Sequence, residues 1–217
     1  MRTLVTAQQT AFFAQNGYIE FEGIAFDSHQ IFTSIRSLLE KRTGSVLSRI
    51  PPSQLYASGR DLWREDKTIQ TLLLKALAPI ALHLIGKPLR LACDQWIPSG
   101  YPWEQATAFK GLFSIQGMAL GVVLCSEEVS LPTRAPLGLL PLPKSPNNVL
   151  FIKPELLIDW PSLAKSPAVD LYFGAYAQNS AVYIHNPKDP SGNALKQMGY
   201  DFGDKLQNHS HPILFGP

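Results

Sequence analysis

The chain has 217 residues, 45% of them hydrophobic and 17% charged, which is enough apolar material for one substantial core. Its 19 basic and 17 acidic residues leave a formal charge of +2 with no block of like charge, so electrostatics gives no reason to expect nucleic acid or an anionic membrane as partner. The opening MRTLVTAQQT lacks the apolar run and small-residue cleavage site of a secretory signal, and the apolar stretch 76–85 is too short for a span and holds Pro79 and His83, so the expectation is a cytoplasmic protein with no membrane partner.

Thr6 and Gln9 have capping-box spacing, and a helix over 7–15 with Phe12 and Phe13 along one side is predicted to stop at Asn16-Gly17. Tyr18 to Glu22 alternates strictly and predicts a strand with Ile19 and Phe21 buried. Asp27 and Gln30 repeat the capping spacing ahead of a helix over 28–41 whose apolar stripe is Ile31, Ile35, Leu38 and Leu39. Residues 50–67, with Pro51-Pro52, Gly59 and many charges, read as a surface connection containing a helical turn near Leu62-Trp63. From Thr68 to Ile85 an apolar-periodic stretch predicts the main buried helix, laid across the outside of a sheet and kinked or divided at Pro79.

Leu89–Ile97 and Leu112–Cys125 predict two strands separated by a polar, aromatic loop. In the first, a two-residue period sets Leu89, Leu91 and Cys93 against Arg90, Ala92 and Asp94, with Asp94 pairing with Arg90. In the second, Ser114, Gln116 and Met118 stand opposite Phe113, Ile115 and Ala119, and Gly111, Gly117 and Gly121 permit a bend or a close approach. Cys93 and Cys125 lie in apolar patterns and read as free, buried thiols. Five prolines within 126–148 exclude helix and confine strand to 137–142. Val149–Ile152 reads as a short buried strand, 159–164 as a turn of helix, and 169–185 as a hairpin turning at Gln178-Asn179. Asn193–Met198 has helical character, and 208–217 is a tail without periodicity.

The opening QQTAFFAQNGYIEFEG, a short helix running through Asn-Gly-Tyr into a strand and then a capped helix, resembles the start of the phytanoyl-CoA dioxygenase family. LRLACDQW resembles that family's strand leading to its metal loop, and PNNVLFI resembles a turn and strand from the second half of a double-stranded β-helix. The resemblance covers residues 5 to about 125 and the remainder loosely. It implies an α+β chain with a jelly-roll, cupin-like double-stranded β-helix and N-terminal helices on the outside of the sheet. The expected organisation is one domain over 1–217: a mainly helical part at 1–87, the β-helix core at 88–190, and a C-terminal helix and tail at 191–217.

The family hydroxylates substrates with iron(II) and 2-oxoglutarate, holding the metal by two histidines and one carboxylate. The resemblance therefore implies a His-x-Asp or His-x-Glu pair after the strand at 89–97. Here the loop is Pro98-Ser99-Gly100-Tyr101-Pro102-Trp103-Glu104-Gln105, without histidine, and Glu104 reads as a solvated loop residue. His185 and Lys196 match the family's spacing between its distal histidine and the arginine that grips 2-oxoglutarate, but lysine lacks the bidentate fork. His209 and His211 form a His-x-His that can chelate a metal on a strand.

The expectation is an oxygenase-like barrel without the iron motif, a non-catalytic binding or scaffold protein needing no cofactor. Its candidate ligand-binding residues are Asp94, Trp96, Tyr101, Trp103, Gln116, His185 and Lys196, its partner is an unidentified small molecule or protein, and its weak metal candidates are His185, His209 and His211. Two alternatives stand beside it: an active oxygenase using Fe(II) and 2-oxoglutarate through atypical ligands, and a structural protein with no pocket.

Overall fold

A computed structural model describes residues 5–128, 134–164 and 169–215. Its helices are α1 (Ala7–Asn16), α2 (Ser28–Thr43), α3 (Pro52–Ser58), α4 (Lys67–Thr71), α5 (Ala78–Ile85), α6 (Trp160–Ala164) and α7 (Gly192–Gln197). Its strands are β1 (Tyr18–Phe21), β2 (Leu89–Ile97), β3 (Thr107–Ala108), β4 (Ile115–Cys125), β5 (Arg134–Ala135), β6 (Gly138–Leu139), β7 (Val149–Ile152), β8 (Leu157–Ile158), β9 (Leu171–Tyr183) and β10 (Ile213–Leu214). They form a six-stranded sheet in the order β1-β7-β4-β9-β2-β10 and a four-stranded sheet in the order β3-β8-β6-β5.

The large sheet separates two apolar layers. Its outer face packs Leu91, Trp96, Val122, Phe151 and Tyr172 against Phe13 of α1, the Ile31-Ile35-Leu38-Leu39 stripe of α2, and the long helix Lys67–Ile85. Its inner face packs Val123, Leu150, Leu171 and Phe173 against Phe109, Phe113 and Trp160 and against Leu139 and Ile158 of the smaller sheet. The chain is thus α+β, with a curled double-stranded β-helix carrying its N-terminal helices outside, as the resemblance implies. The capping box at Thr6 and Gln9 and the Asp27 cap form as expected, and Gly17 and Gly44 end α1 and α2 in left-handed conformation. Phe13 is buried but Phe12 is 45% exposed, so only one of the predicted pair faces the core.

Pro79 does not divide the long helix, which runs unbroken from Lys67 to Ile85. Leu72–Leu77 adopts π-helical hydrogen bonding between α4 and α5, and the Ala78 N–H reaches back to the Leu73 carbonyl. Proline has no N–H to give and its ring crowds the preceding turn, and the wider π turn absorbs both defects. Across the sheet the Tyr176 hydroxyl donates to the same Leu73 carbonyl at 2.6 Å. The helix is long and apolar enough to cross a membrane by composition, and half of it is buried against the sheet.

Four expectations are corrected. The alternation in β2 breaks at Ala92, which is skipped in the pairing with β9, so Leu89 and Leu91 face the helices while Ala92 and Cys93 both face inward. In β4, irregularities at Gly117 and Ala119 put Met118 on the inner side with Ile115, and leave Gln116 exposed. A Cβ at Gly117 would meet Ala181 at 3.1 Å, and its φ of +96° also favours glycine. The predicted hairpin at 169–185 is instead one strand, β9, paired with β2 on one side and β4 on the other. The turn-forming Gln178-Asn179-Ser180 makes a bulge there: β9 advances from Ala177 to Val182 while β4 moves only from Met118 to Gln116. The tail is also ordered into the sheet, β10 pairing with Leu89 and Arg90. Pro132, part of the proline-rich stretch, lies outside the described residues.

Candidate functional site

The segment 50–67, read from the sequence as a surface connection, instead runs into the barrel. Leu55, Tyr56, Arg60, Leu62 and Trp63 are all buried. Its residues 59–61 lie beside the C-terminal half of β2: Trp96 N–H donates to the Gly59 carbonyl, Asp61 N–H donates to the Asp94 carbonyl, and Arg60 bridges Gln95. A Cβ at Gly59 would stand 2.9 Å from the Trp96 carbonyl oxygen, so glycine permits this approach. Arg42, at the end of α2, clamps the segment from outside by donating to the carbonyls of Ser58 and Arg60 at 2.6 and 2.7 Å and to Glu65 Oε1 at 2.7 Å.

The clamp places the Arg60 side chain on the inner face. Its Nε donates to Gln95 Oε1 at 2.8 Å, its Nη2 to Asp189 Oδ1 at 2.8 Å, and its Nη1 faces Cys93 Sγ at 3.7 Å, with the guanidinium 4.6 Å above the Phe113 ring. Asp189 also accepts from the backbone N–H groups of Ser114 and Ser191. Burial works to lower the Arg60 pKa, and Cys93 and Asp189 beside it raise it by more, so the guanidinium stays charged. Burial holds the Cys93 thiol well above its ordinary range despite Arg60, so it is no ready thiolate.

Above this cluster lie four aromatic rings. Tyr101 packs on Tyr56 at 4.4 Å between centroids and on Trp103 at 4.6 Å, and Trp103 stacks on Trp160 at 4.5 Å. Tyr101 and Trp103 are half-buried and form the rim, while Tyr56 and Trp160 are buried beneath. The Trp160 indole N–H donates to the Thr107 carbonyl and fixes the stack.

The structure therefore brings Tyr101 and Trp103 together and sets the other sequence candidates elsewhere. Asp94 and Trp96 are buried on the outer, helix-facing side. Asp94 does not pair with Arg90, which instead donates to the Asn179 and His211 carbonyls and to Asn208 Oδ1. Gln116, His185, Lys196 and Glu104 are exposed. His209 is exposed whereas His211 is buried between Tyr200 and Arg64, so the pair does not share a face for chelation. Arg60, Gln95 and Asp189 were missed by sequence reasoning. The available signal was the apolar pairs Leu55-Tyr56 and Leu62-Trp63, which bracket Arg60 and mark an anchored segment.

The iron(II) centre implied by the resemblance does not fit these residues. Among the described residues, which include all five histidines, no three His, Cys, Asp or Glu side chains are grouped to hold a metal ion. The buried carboxylate of the inner cluster, Asp189, is already engaged by a guanidinium and two amides.

No family model matches the sequence, and no characterised protein sequence matches it significantly. Solved structures do match. The chain is similar to the non-heme alpha ketoglutarate dependent carbocyclase SnoK from nogalamycin biosynthesis, with a TM-score of 0.70 and 13% identity over 97% of each chain. It is similar to the epimerase SnoN of the same biosynthesis at TM-score 0.67 and 15% identity, covering 95% of this chain and 97% of that one. CytC3 follows at TM-score 0.59 and 12% identity over 86% and 82%. At such identities the likeness concerns architecture alone: this chain shares the fold of those three solved structures.

Proposed function

We propose that this chain is a binding protein that keeps the oxygenase barrel and carries out no iron-dependent chemistry. The observation supporting this most directly is the Arg60 network. A permanent cation fixed inside the barrel against Gln95 and Cys93 opposes a second, divalent cation there, and it engages Asp189 as a counter-charge. What remains available to a ligand is the rim: Tyr101 and Trp103 offer planar, half-exposed faces suited to a small molecule with an aromatic or apolar face.

Anaerobic titration with Fe(II) and 2-oxoglutarate tests the reading. No metal-to-ligand charge-transfer absorption and no retained metal by elemental analysis are expected, and a saturable band overturns it. The alpha ketoglutarate dependence of SnoK and SnoN favours the second reading, an active oxygenase with atypical ligands such as His185, and the same band would support it.

A further inference from the structure

On the opposite side of the sheet from the barrel, the long helix Lys67–Ile85 leaves one line of residues exposed: Lys67, Thr71, Lys75, Pro79 and His83. In an α-helix of about 3.6 residues per turn, a strict four-residue spacing drifts around the axis. The wider turn of the π segment Leu72–Leu77 offsets that drift and keeps the line straight. This line forms one wall of a half-open groove of about 1220 Å³. Apolar side chains of the helix, the loop before α2 and the end of the chain complete it, among them Phe26, Leu74 and Leu214. Phe215, 70% exposed, stands at its edge.

We propose that this groove is a docking site for an amphipathic α-helix of a partner protein bearing acidic residues along one flank. Three observations point to that occupant. The charge is asymmetric: Lys67 and Lys75 on the wall have no ion-pair partner among the described residues, while the acid lining the groove, Asp27, is turned to its own helix, where it accepts from Gln30 N–H. The size fits: the span from Lys67 to His83 is about 24 Å at 1.5 Å per residue, and half of a helix that long and about 10–12 Å across occupies roughly 900–1,400 Å³. The lining also fits, because a half-open, mostly apolar groove with polar residues along it suits one face of an amphipathic helix, whereas a bilayer surface is flat and a single acyl chain is far thinner.

The test uses the full chain and two fluorescently labelled four-turn peptides with the same leucine-rich face, one flanked by glutamates and the other by lysines. Fluorescence anisotropy is expected to show the acidic peptide binding about tenfold or more tighter than the basic one. In Lys67→Glu/Lys75→Glu, both sites being exposed and the fold checked by circular dichroism, the preference reverses. Phe215→Ser weakens both peptides. Equal binding of the two peptides, no binding of the acidic one, or a preference unmoved by the charge reversal overturns the proposal. Binding of oleate or phosphatidylserine vesicles without binding of the acidic peptide overturns it in favour of a lipid site.

Discussion

The Tyr172 hydroxyl donates to Asp94 Oδ2, so a buried carboxylate sits in the apolar layer between the sheet and its helices with the Trp63 N–H as its second donor. Its other oxygen, Oδ1, has no hydrogen-bond partner among the described residues. Burial first, and then the nearby Asp61, push its pKa up to about 7, against the lowering effect of Tyr172, the Trp63 amide and Arg42.

A carboxyl whose folded pKa is raised binds its proton in the folded state while the unfolded chain has already lost it. Its contribution is therefore fully present below about pH 4 and is lost as pH rises through about 7. Asp94→Asn keeps an oxygen for Tyr172 and Trp63 and removes the charge. The variant is expected to be more stable than the parent at pH 8 by a few kcal/mol, the advantage shrinking towards pH 4 with a slope of about 1.4 kcal/mol per pH unit. Urea unfolding across that range measures it, and a pH-independent difference between the two proteins refutes it.

The Arg60–Asp189 pair is expected to be unequal to its parts. Arg60→Met leaves the Asp189 carboxylate buried with only the Ser114 and Ser191 amides and is expected to cost about 3–5 kcal/mol. Arg60→Met combined with Asp189→Leu removes both charges and is expected to recover part of that loss. Denaturant unfolding of the four proteins in the cycle gives the coupling, and additive effects would show that the two charges act independently.

Tyr176→Phe removes the hydroxyl that bonds the Leu73 carbonyl in the π segment. The ring and its packing remain, so the loss is expected to be about 1–2 kcal/mol, the cost of one buried hydrogen bond and a carbonyl left with its helix partner alone. Native-state hydrogen exchange is expected to show the amide of Ala78 opening more readily than those of α2. Equal protection in the variant and the parent would mean that the hydroxyl does not support the π turn.

The parts of this fold that are legible in the sequence are those where local chemistry and tertiary packing agree. The caps at Thr6 and Asp27, the stripe of α2, the buried Ile19 and Phe21 of β1 and the strand Val149–Ile152 all carry a local signal that the packed sheet then uses. Where tertiary structure overrules the local signal, the sequence misleads. Gln178-Asn179-Ser180 has turn chemistry, but β2 and β4 on either side hold it as a bulge in one strand. Charges and prolines around Arg60 look like solvated loop, and long-range contacts turn them inward: the Arg42 clamp, 18 residues away in sequence, and the backbone pairing with β2. At the rim, Tyr101 and Trp103 are visible in the sequence as a pair, whereas their partners Tyr56 and Trp160 come from segments remote in the chain.

His211 is the counterweight to Asp94. Its ring is fully buried, with Nδ1 toward the Tyr200 hydroxyl at 3.0 Å and Nε2 3.3 Å from Arg64 Nη2. A guanidinium can only donate, so Nε2 is the accepting nitrogen and the ring is neutral. Burial first, then Arg64, Arg90 and His209, push its pKa down to about 3. The unfolded chain takes up a proton near pH 6.5 that the folded one refuses until about pH 3, so this contribution is present above the unfolded value and is lost as pH falls. Between about pH 4 and 6.5 its slope opposes that of Asp94, and the two largely cancel in the parent protein. His211→Gln, which offers an amide donor and acceptor but no titration, is expected to cost about 1–2 kcal/mol at pH 7.5 through its lost bonds. The deficit is expected to shrink by about 1.4 kcal/mol per pH unit below pH 6.5, so that the variant overtakes the parent in acid. A variant curve running parallel to the parent's from pH 7.5 to 4 would mean that His211 titrates alike in the folded and the unfolded chain.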